Sequence, residues 1–262
     1  MKTILDFAKA KKENQIISMT TCYDYWSAKI IAQTNIDCVL IGDSLGMVMH
    51  GAKDTLSVDT RLMALHIQAV KKGLGNKFLI GDMPFLAHRK NLSTTMNNIE
   101  TIMRAGANCV KIEGIDGSES DFKYIVESGI PIMGHLGLTP QSLNQLGGFR
   151  VQGKKEKEVE KIIDQAKRIQ DVGCFALVLE CIPEAIALEI TEILSIPTIG
   201  IGAGIHTSGQ VLVLQDLLGM NNEFSPKFLK KYLNGFELVT NTLNEFDTEV
   251  KNKKFPTQEH SF

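Results

Sequence analysis

The chain contains no C-x-x-C pair, no H-x-x-x-H pair and no G-x-G-x-x-G loop. None of its apolar runs approaches the ~18 residues that a membrane-spanning helix needs. Each absence removes a class of function. The six histidines have no zinc spacing. The five cysteines (Cys22, Cys38, Cys109, Cys174 and Cys181) are odd in number and unclustered, which points to a reducing compartment and a cytoplasmic protein. A Rossmann dinucleotide site is not indicated. An excess of basic charge is also missing. The net charge is −2, so a nucleic acid is not expected as a partner, and without a spanning apolar run neither is a membrane. Met1–Lys12 is an amphipathic, lysine-bearing segment with an acid inside it, unlike a signal or transit peptide. No repeat, linker or low-complexity block divides the chain, which reads as one domain.

What is present is a pattern used four times. A short, β-branched apolar run ends in a carboxylate at Asp37–Asp43, Phe78–Asp82, Cys109–Glu113 and Phe175–Glu180. Such runs read as strands buried on both faces. Between them lie segments with helical spacing: Thr60–Gly73, Ser93 as a cap to Ala105, Glu119–Ser128, Glu156–Val172, and Pro183 to Leu194. Further strands are expected at Gln15–Met19, Ile130–Met133, Ile196–Gly200 and Gln210–Leu214, with an N-terminal helix over Thr3–Ala10. Eight strand–helix units in 262 residues favour a closed (β/α)8 TIM barrel, a fold of roughly 250 residues. The crossover between Gly200 and Gln210 is too short for a full helix. Ser225 and Pro226 are expected to start the closing helix. The barrel should fill residues 1–245, with residues 246–262 as a polar, loosely ordered tail.

In such a barrel the active site lies at the C-terminal ends of the strands. Asp43, Asp82, Glu113 and Glu180 all fall there. Acids at strand ends also cap helices, but glutamate is a poor cap. Lys111 and Glu113 are two apart and share the inward face of their strand. A buried lysine there is either one half of an internal ion pair or a cation aimed at an anionic substrate. Oxygen ligands without nearby cysteine or histidine favour a hard ion such as Mg²⁺. A 2-oxo acid bound through its keto and carboxylate oxygens would have an acidified neighbouring C–H, and a free carboxylate could serve as base. His135 sits at the same end and is either structural or catalytic. Ser44 either holds a substrate carboxylate or caps a turn. Gly200–Gly204 is either a phosphate cradle or a tight turn.

Several blocks, in order, resemble the ketopantoate hydroxymethyltransferase family: TTCYDYWSA (Thr20–Ala28), IGDSLGM (Ile41–Met47), GDMPF (Gly81–Phe85), RAGANCVKIEG (Arg104–Gly114), GHLGLTPQS (Gly134–Ser142), GGFRVQG (Gly147–Gly153) and GIGAG (Gly200–Gly204). The resemblance implies an α/β barrel that transfers a hydroxymethyl group from 5,10-methylenetetrahydrofolate to 3-methyl-2-oxobutanoate, with Mg²⁺. It implies Asp43, Asp82 and Glu113 at the metal. It implies Asp43, Ser44, Asp82 and Lys111 on the oxo acid, Glu180 as the base, and His135 in the active site. It also implies a homodecamer. Another Mg²⁺-dependent lyase or mutase of 2-oxo acids on the same barrel is the alternative. The chain departs from the family pattern at Thr207–Ser208 and at the bulkier, more basic Leu86–Ala87–His88–Arg89.

Overall fold

Short polar side chains start three of the helices. Asp24, Asp59 and Asn91 each accept a backbone N–H from the first turn, at Ser27, Leu62 and Thr94 respectively. Each such cap contributes about 1 kcal/mol. The computed structural model describes residues 1–262. Its helices are α1 (Ile4–Lys12), α2 (Tyr25–Ala32), α3 (Leu45–Val48), α4 (Thr60–Leu74), α5 (Leu92–Ala105), α6 (Glu119–Glu127), α7 (Leu143–Leu146), α8 (Glu156–Asp171), α9 (Glu184–Ile193), α10 (Leu214–Leu217) and α11 (Gly235–Lys251). Asn91, not Ser93, caps α5, because the Asn91 amide oxygen reaches the Thr94 N–H at 2.8 Å.

Eight parallel strands alternate with these helices: β1 (Ile17–Thr21), β2 (Cys38–Ile41), β3 (Phe78–Asp82), β4 (Cys109–Glu113), β5 (Ile132–Gly137), β6 (Ala176–Glu180), β7 (Thr198–Ile201) and β8 (Gly209–Leu212). Each pairs with its neighbour in the chain, and β8 returns to β1, so the barrel is closed. The register sets Asp82 beside Lys111, Glu113 beside His135, and Gly137 beside Glu180. Polar residues of successive strands are thereby brought to one level. Strand β7 passes to β8 without a helix. The turn uses Gly202 and Gly204 at positive φ, and the Gln210 amide donates to the Gly204 carbonyl at 2.8 Å.

The N-terminal end of the barrel is apolar. Phe7 of α1 packs edge-on against Phe78 and Phe175, with ring centroids 5.2 and 5.1 Å away. Ile17, Met19, Cys38, Leu40, Ile80 and Met133 continue this core upward. Outside the barrel, α8 turns Ile162, Ala166 and Ile169 inward. It lies so close to β5 that a Cβ on Gly134 would meet Ile169 at 2.7 Å.

Two compact units divide the chain: Met1–Val213, which holds the whole barrel, and Leu214–Phe262. In the second, the last helix starts at Gly235 and runs to Lys251, past the boundary expected at residue 245. Ser225–Pro226 does not nucleate it. The amides of Tyr232, Gly235 and Phe236 are taken by carbonyls of Leu217, Leu218 and Gly219, and this holds the intervening segment out of a helical path.

Candidate active site

All seven side chains singled out from the sequence lie at the C-terminal end of the barrel. Asp82, Glu113 and Glu180 are the last residues of β3, β4 and β6. Asp43 follows β2, and Ser44 leads into α3. His135 lies within β5, because that strand continues to Gly137 instead of stopping at Met133. Inward parity on β4 brings Lys111 and Glu113 onto one face, and both are buried.

Lys111 is the hub. Its Nζ lies 2.9 Å from Asp82 Oδ1, 3.8 Å from Glu113 Oε1 and 3.1 Å from His135 Nδ1. The far nitrogen of His135, Nε2, faces Glu180 Oε2 at 3.2 Å. Asp43 joins through its own backbone N–H, which donates to Asp82 Oδ2 at 3.2 Å. Ser44 is set by Tyr23, whose phenol oxygen is 2.7 Å from its hydroxyl. The acids are not equivalent. The side chains of Asp82 and Glu113 are at most 3% exposed, whereas that of Glu180 is 18% exposed and touches the group only through His135.

Two residues escaped the sequence reading. Gln141, in the 3₁₀ turn Pro140–Ser142, ties three strand ends together. Its side-chain amide donates to Asp43 Oδ2 at 2.9 Å and to the Met83 carbonyl at 2.8 Å, while its backbone N–H donates to Glu113 Oε2 at 3.1 Å. Tyr23 is the other, through Ser44. Both lie in blocks that carry the family resemblance, TTCYDYWSA and GHLGLTPQS, and that was the available signal.

The charges explain one another. Burial, followed by repulsion from Asp82 and Glu113, raises the Asp43 carboxyl well above its usual range. Burial also raises Asp82, with Lys111 opposing. In Glu113, burial is outweighed by His135, Lys111 and the Gln141 N–H, and the carboxyl is lowered. Burial disfavours the Lys111 ammonium, but Asp82, Glu113 and Asp43 outweigh it and raise its pKa. A Lys111 ammonium donates to His135 Nδ1 only if that atom keeps its lone pair, so the neutral ring holds its hydrogen on Nε2, toward Glu180. Burial and Lys111 oppose a second proton on the ring, while Glu113 and Glu180 favour it and raise the imidazole to about 9.

Asp43, Asp82 and Glu113 fit a hard divalent ion by donor chemistry. All their donors are oxygen, three carboxylates face one ammonium, and Glu113 Oε1 is buried without a hydrogen-bond donor. As they stand, no three His, Cys, Asp or Glu side chains surround one point, because Lys111 and the Gln141 amide engage the acid oxygens. At Gly200–Gly204 the tight turn accounts for the glycines: a Cβ on Gly200 would meet Thr207 Oγ1 at 2.7 Å.

Known proteins give a consistent picture. The sequence model of the ketopantoate hydroxymethyltransferase family matches residues 1–258. The 3-methyl-2-oxobutanoate hydroxymethyltransferase of Coxiella burnetii (strain CbuG_Q212) is 58% identical over 252 residues, which cover 96% of this chain and 95% of that protein. The enzyme of the same name from Bdellovibrio bacteriovorus is 54% identical over 262 residues and the full length of both. Among solved structures, phosphonopyruvate hydrolase superposes with a TM-score of 0.65 at 8% identity, covering 100% of this chain and 92% of that one. The 2,3-dimethylmalate lyase, a member of the PEP mutase/isocitrate lyase superfamily, gives 0.61 at 13% identity, covering 97% and 99%. At such identities these two share the fold alone. No helix is long and apolar enough to cross a membrane. The full-length sequence match, on a closed eight-stranded barrel with these acids at one end, shows that the chain belongs to the ketopantoate hydroxymethyltransferase family.

Proposed function

We propose that the protein transfers a hydroxymethyl group from 5,10-methylenetetrahydrofolate to 3-methyl-2-oxobutanoate, giving 2-dehydropantoate on the route to pantothenate. The observation that carries this reading is the division among the acids. Asp43, Asp82 and Glu113 are buried around Lys111, while Glu180 stands apart behind His135, partly open to solvent. Three acids thus suit the holding of charge and one suits the moving of a proton.

Asp43, Asp82 and Glu113 would hold Mg²⁺, which when bound supplies Lewis-acid polarisation of the oxo acid. Lys111 and Ser44 orient the substrate carboxylate and keto oxygen. Glu180 takes the proton from C3, and His135 holds Glu180 in position. The enolate carbon then forms the new C–C bond to the donor methylene. Both C–N bonds of that methylene break, and water supplies the hydroxyl group. One proton from water and the one lost from C3 end on the two freed folate nitrogens, so the atoms balance.

Glu180→Gln is expected to slow exchange of the C3 hydrogen with deuterated solvent by about a thousandfold, the scale of a lost general base, while oxo-acid binding stays close to wild type. Undiminished exchange, followed by proton NMR, would remove Glu180 from the role of base.

The same reading includes a homodecamer in the cytoplasm. Its support is the exposed apolar stripe of α11, comprising Phe236, Val239, Leu243, Phe246 and Val250, together with five free cysteines, four of them buried. Sedimentation velocity should give a particle of ten chains, and a monomer at working concentration would refute the assembly.

A further inference from the structure

A chain of contacts runs from the surface to Ser44 through two imidazoles that lie outside the acid cluster. His50 is exposed just beyond α3, and His66 is half-buried on α4. Their Nε2 atoms lie 2.9 Å apart. The ring planes are nearly perpendicular, at 87°, with centroids 5.2 Å apart. That separation is close to the N···N distance plus two ring radii, so the two nitrogens point at each other. On its other side, His66 Nδ1 lies 2.5 Å from the Tyr23 carbonyl oxygen. The Tyr23 phenol oxygen in turn lies 2.7 Å from the Ser44 hydroxyl.

The hydrogens on both rings are fixed by what they face. A carbonyl oxygen only accepts, so His66 Nδ1 carries a hydrogen and donates it to Tyr23. The neutral ring then keeps its lone pair on Nε2, and His50 Nε2 is the donor between the two rings. Each imidazole thus has one permitted tautomer, and the pair has one direction.

The circuit closes on itself. Helix α3 is a single turn, too short to hold its shape unaided. Backbone bonds run through it, from the Gly46 N–H on the Asp43 carbonyl to the Gly51 N–H on the Met47 carbonyl. Ser44 stands at one end of this turn and His50 at the other. Tyr23 ties the first directly and the second through His66. It is a firm anchor, being only 1% exposed. The helices on either side of it are also in close contact: a Cβ on Gly73 of α4 would meet the Tyr25 carbonyl of α2 at 2.6 Å.

We propose that His66 and His50 are positioning residues for the oxo acid, which fix Tyr23 and α3 so that the Ser44 hydroxyl faces the substrate oxygens. The proposal rests on the reading of Ser44 as a substrate contact and adds what sets its direction. A hydroxyl turns freely about its Cα–Cβ bond, and one partner on a buried phenol, itself held from α4, removes that freedom before the substrate arrives.

The test follows deuterium exchange at C3 by proton NMR across oxo-acid concentrations, with Mg²⁺ present and folate omitted. His66→Phe should raise the half-saturating concentration about tenfold, the scale of a lost hydrogen bond, and change the maximal rate by less than about twofold. His50→Leu, at an exposed position that perturbs no core, should raise it about threefold. His50→Gln, whose amide can donate to His66 Nε2, should restore it. Ser44→Ala should also raise it about tenfold, and adding His66→Phe to that background should cost less than about twofold more, because His66 acts through Ser44. Losses that multiply in the double variant overturn the positioning role. So do wild-type behaviour in both His66→Phe and His50→Leu, and a loss that falls on the maximal rate alone. Wild-type half-saturation in Ser44→Ala instead overturns the reading of Ser44 as a substrate contact, and the positioning role falls with it.

Discussion

The two ends of the barrel are built on opposite physical terms. At the N-terminal end, buried Phe7 and Phe78 and partly buried Phe175 meet edge to face in an apolar cluster. At the C-terminal end, Lys111, His135 and three acids are buried just as thoroughly, although each charge there costs free energy to desolvate. The first end gains stability from burial alone. The second is held together by mutual compensation, so no member can be removed without stranding another. Burial by itself therefore says little about a residue's contribution, and the partner decides.

Removing the hub is the strongest test of this contrast. Lys111→Met should leave Asp82 and Glu113 buried without their counter-ion and cost about 3–5 kcal/mol in urea unfolding, together with loss of oxo-acid binding. A variant as stable as wild type would mean that the acids are not held by Lys111. At the other end, Phe7→Ala should cost about 3–4 kcal/mol by opening a cavity, yet leave deuterium exchange within about twofold of wild type because the two ends share no partners. A large loss of exchange in a folded Phe7→Ala protein would show that the ends are coupled.

His88 sharpens the comparison at the smallest scale. It is a buried imidazole in the β3–α5 loop, and neither ring nitrogen has a hydrogen-bond partner. Burial, aided by Arg89, lowers it from 6.5 to about 4. The folded state thus refuses a proton that the unfolded chain accepts. Stability is fully present above pH 6.5 and is lost as the pH falls toward 4, by about 3 kcal/mol in all. His88→Phe should flatten that part of the profile in urea titrations across the window. An unchanged slope would assign the acid sensitivity to other groups.

The legible part of the molecule was the part written locally. Four apolar runs ending in acids gave four strands and their site end, and the parity of Lys111 and Glu113 gave the inward face of β4. The missed parts depend on distance. Gln141 and Asp43 are 98 residues apart, and no local spacing announces that an amide in a loop will meet a carboxylate on another strand. Ser225–Pro226 has the composition of a helix start, but carbonyls of residues 217–219 claim the amides that follow, so tertiary hydrogen bonds override the local preference. Nor does the pattern separate Glu180 from Asp82. Both end strands, and only their surroundings make one an ion-pair partner and the other a partly open acid beside a histidine.

The seam between β1 and β8 has a consequence for how the chain is made. Strands β2 to β6, which carry the proposed site residues or lead directly into them, pair with neighbours in order, so during synthesis each finds its partner soon after it emerges. Ser18, by contrast, waits for Gln210. Closing that seam is the long-range step, and such steps are the slow ones. A chain that has emerged only as far as Ser208 would carry all the chemistry of the site on an open sheet whose edges, β1 and β7, are free to pair with another nascent chain.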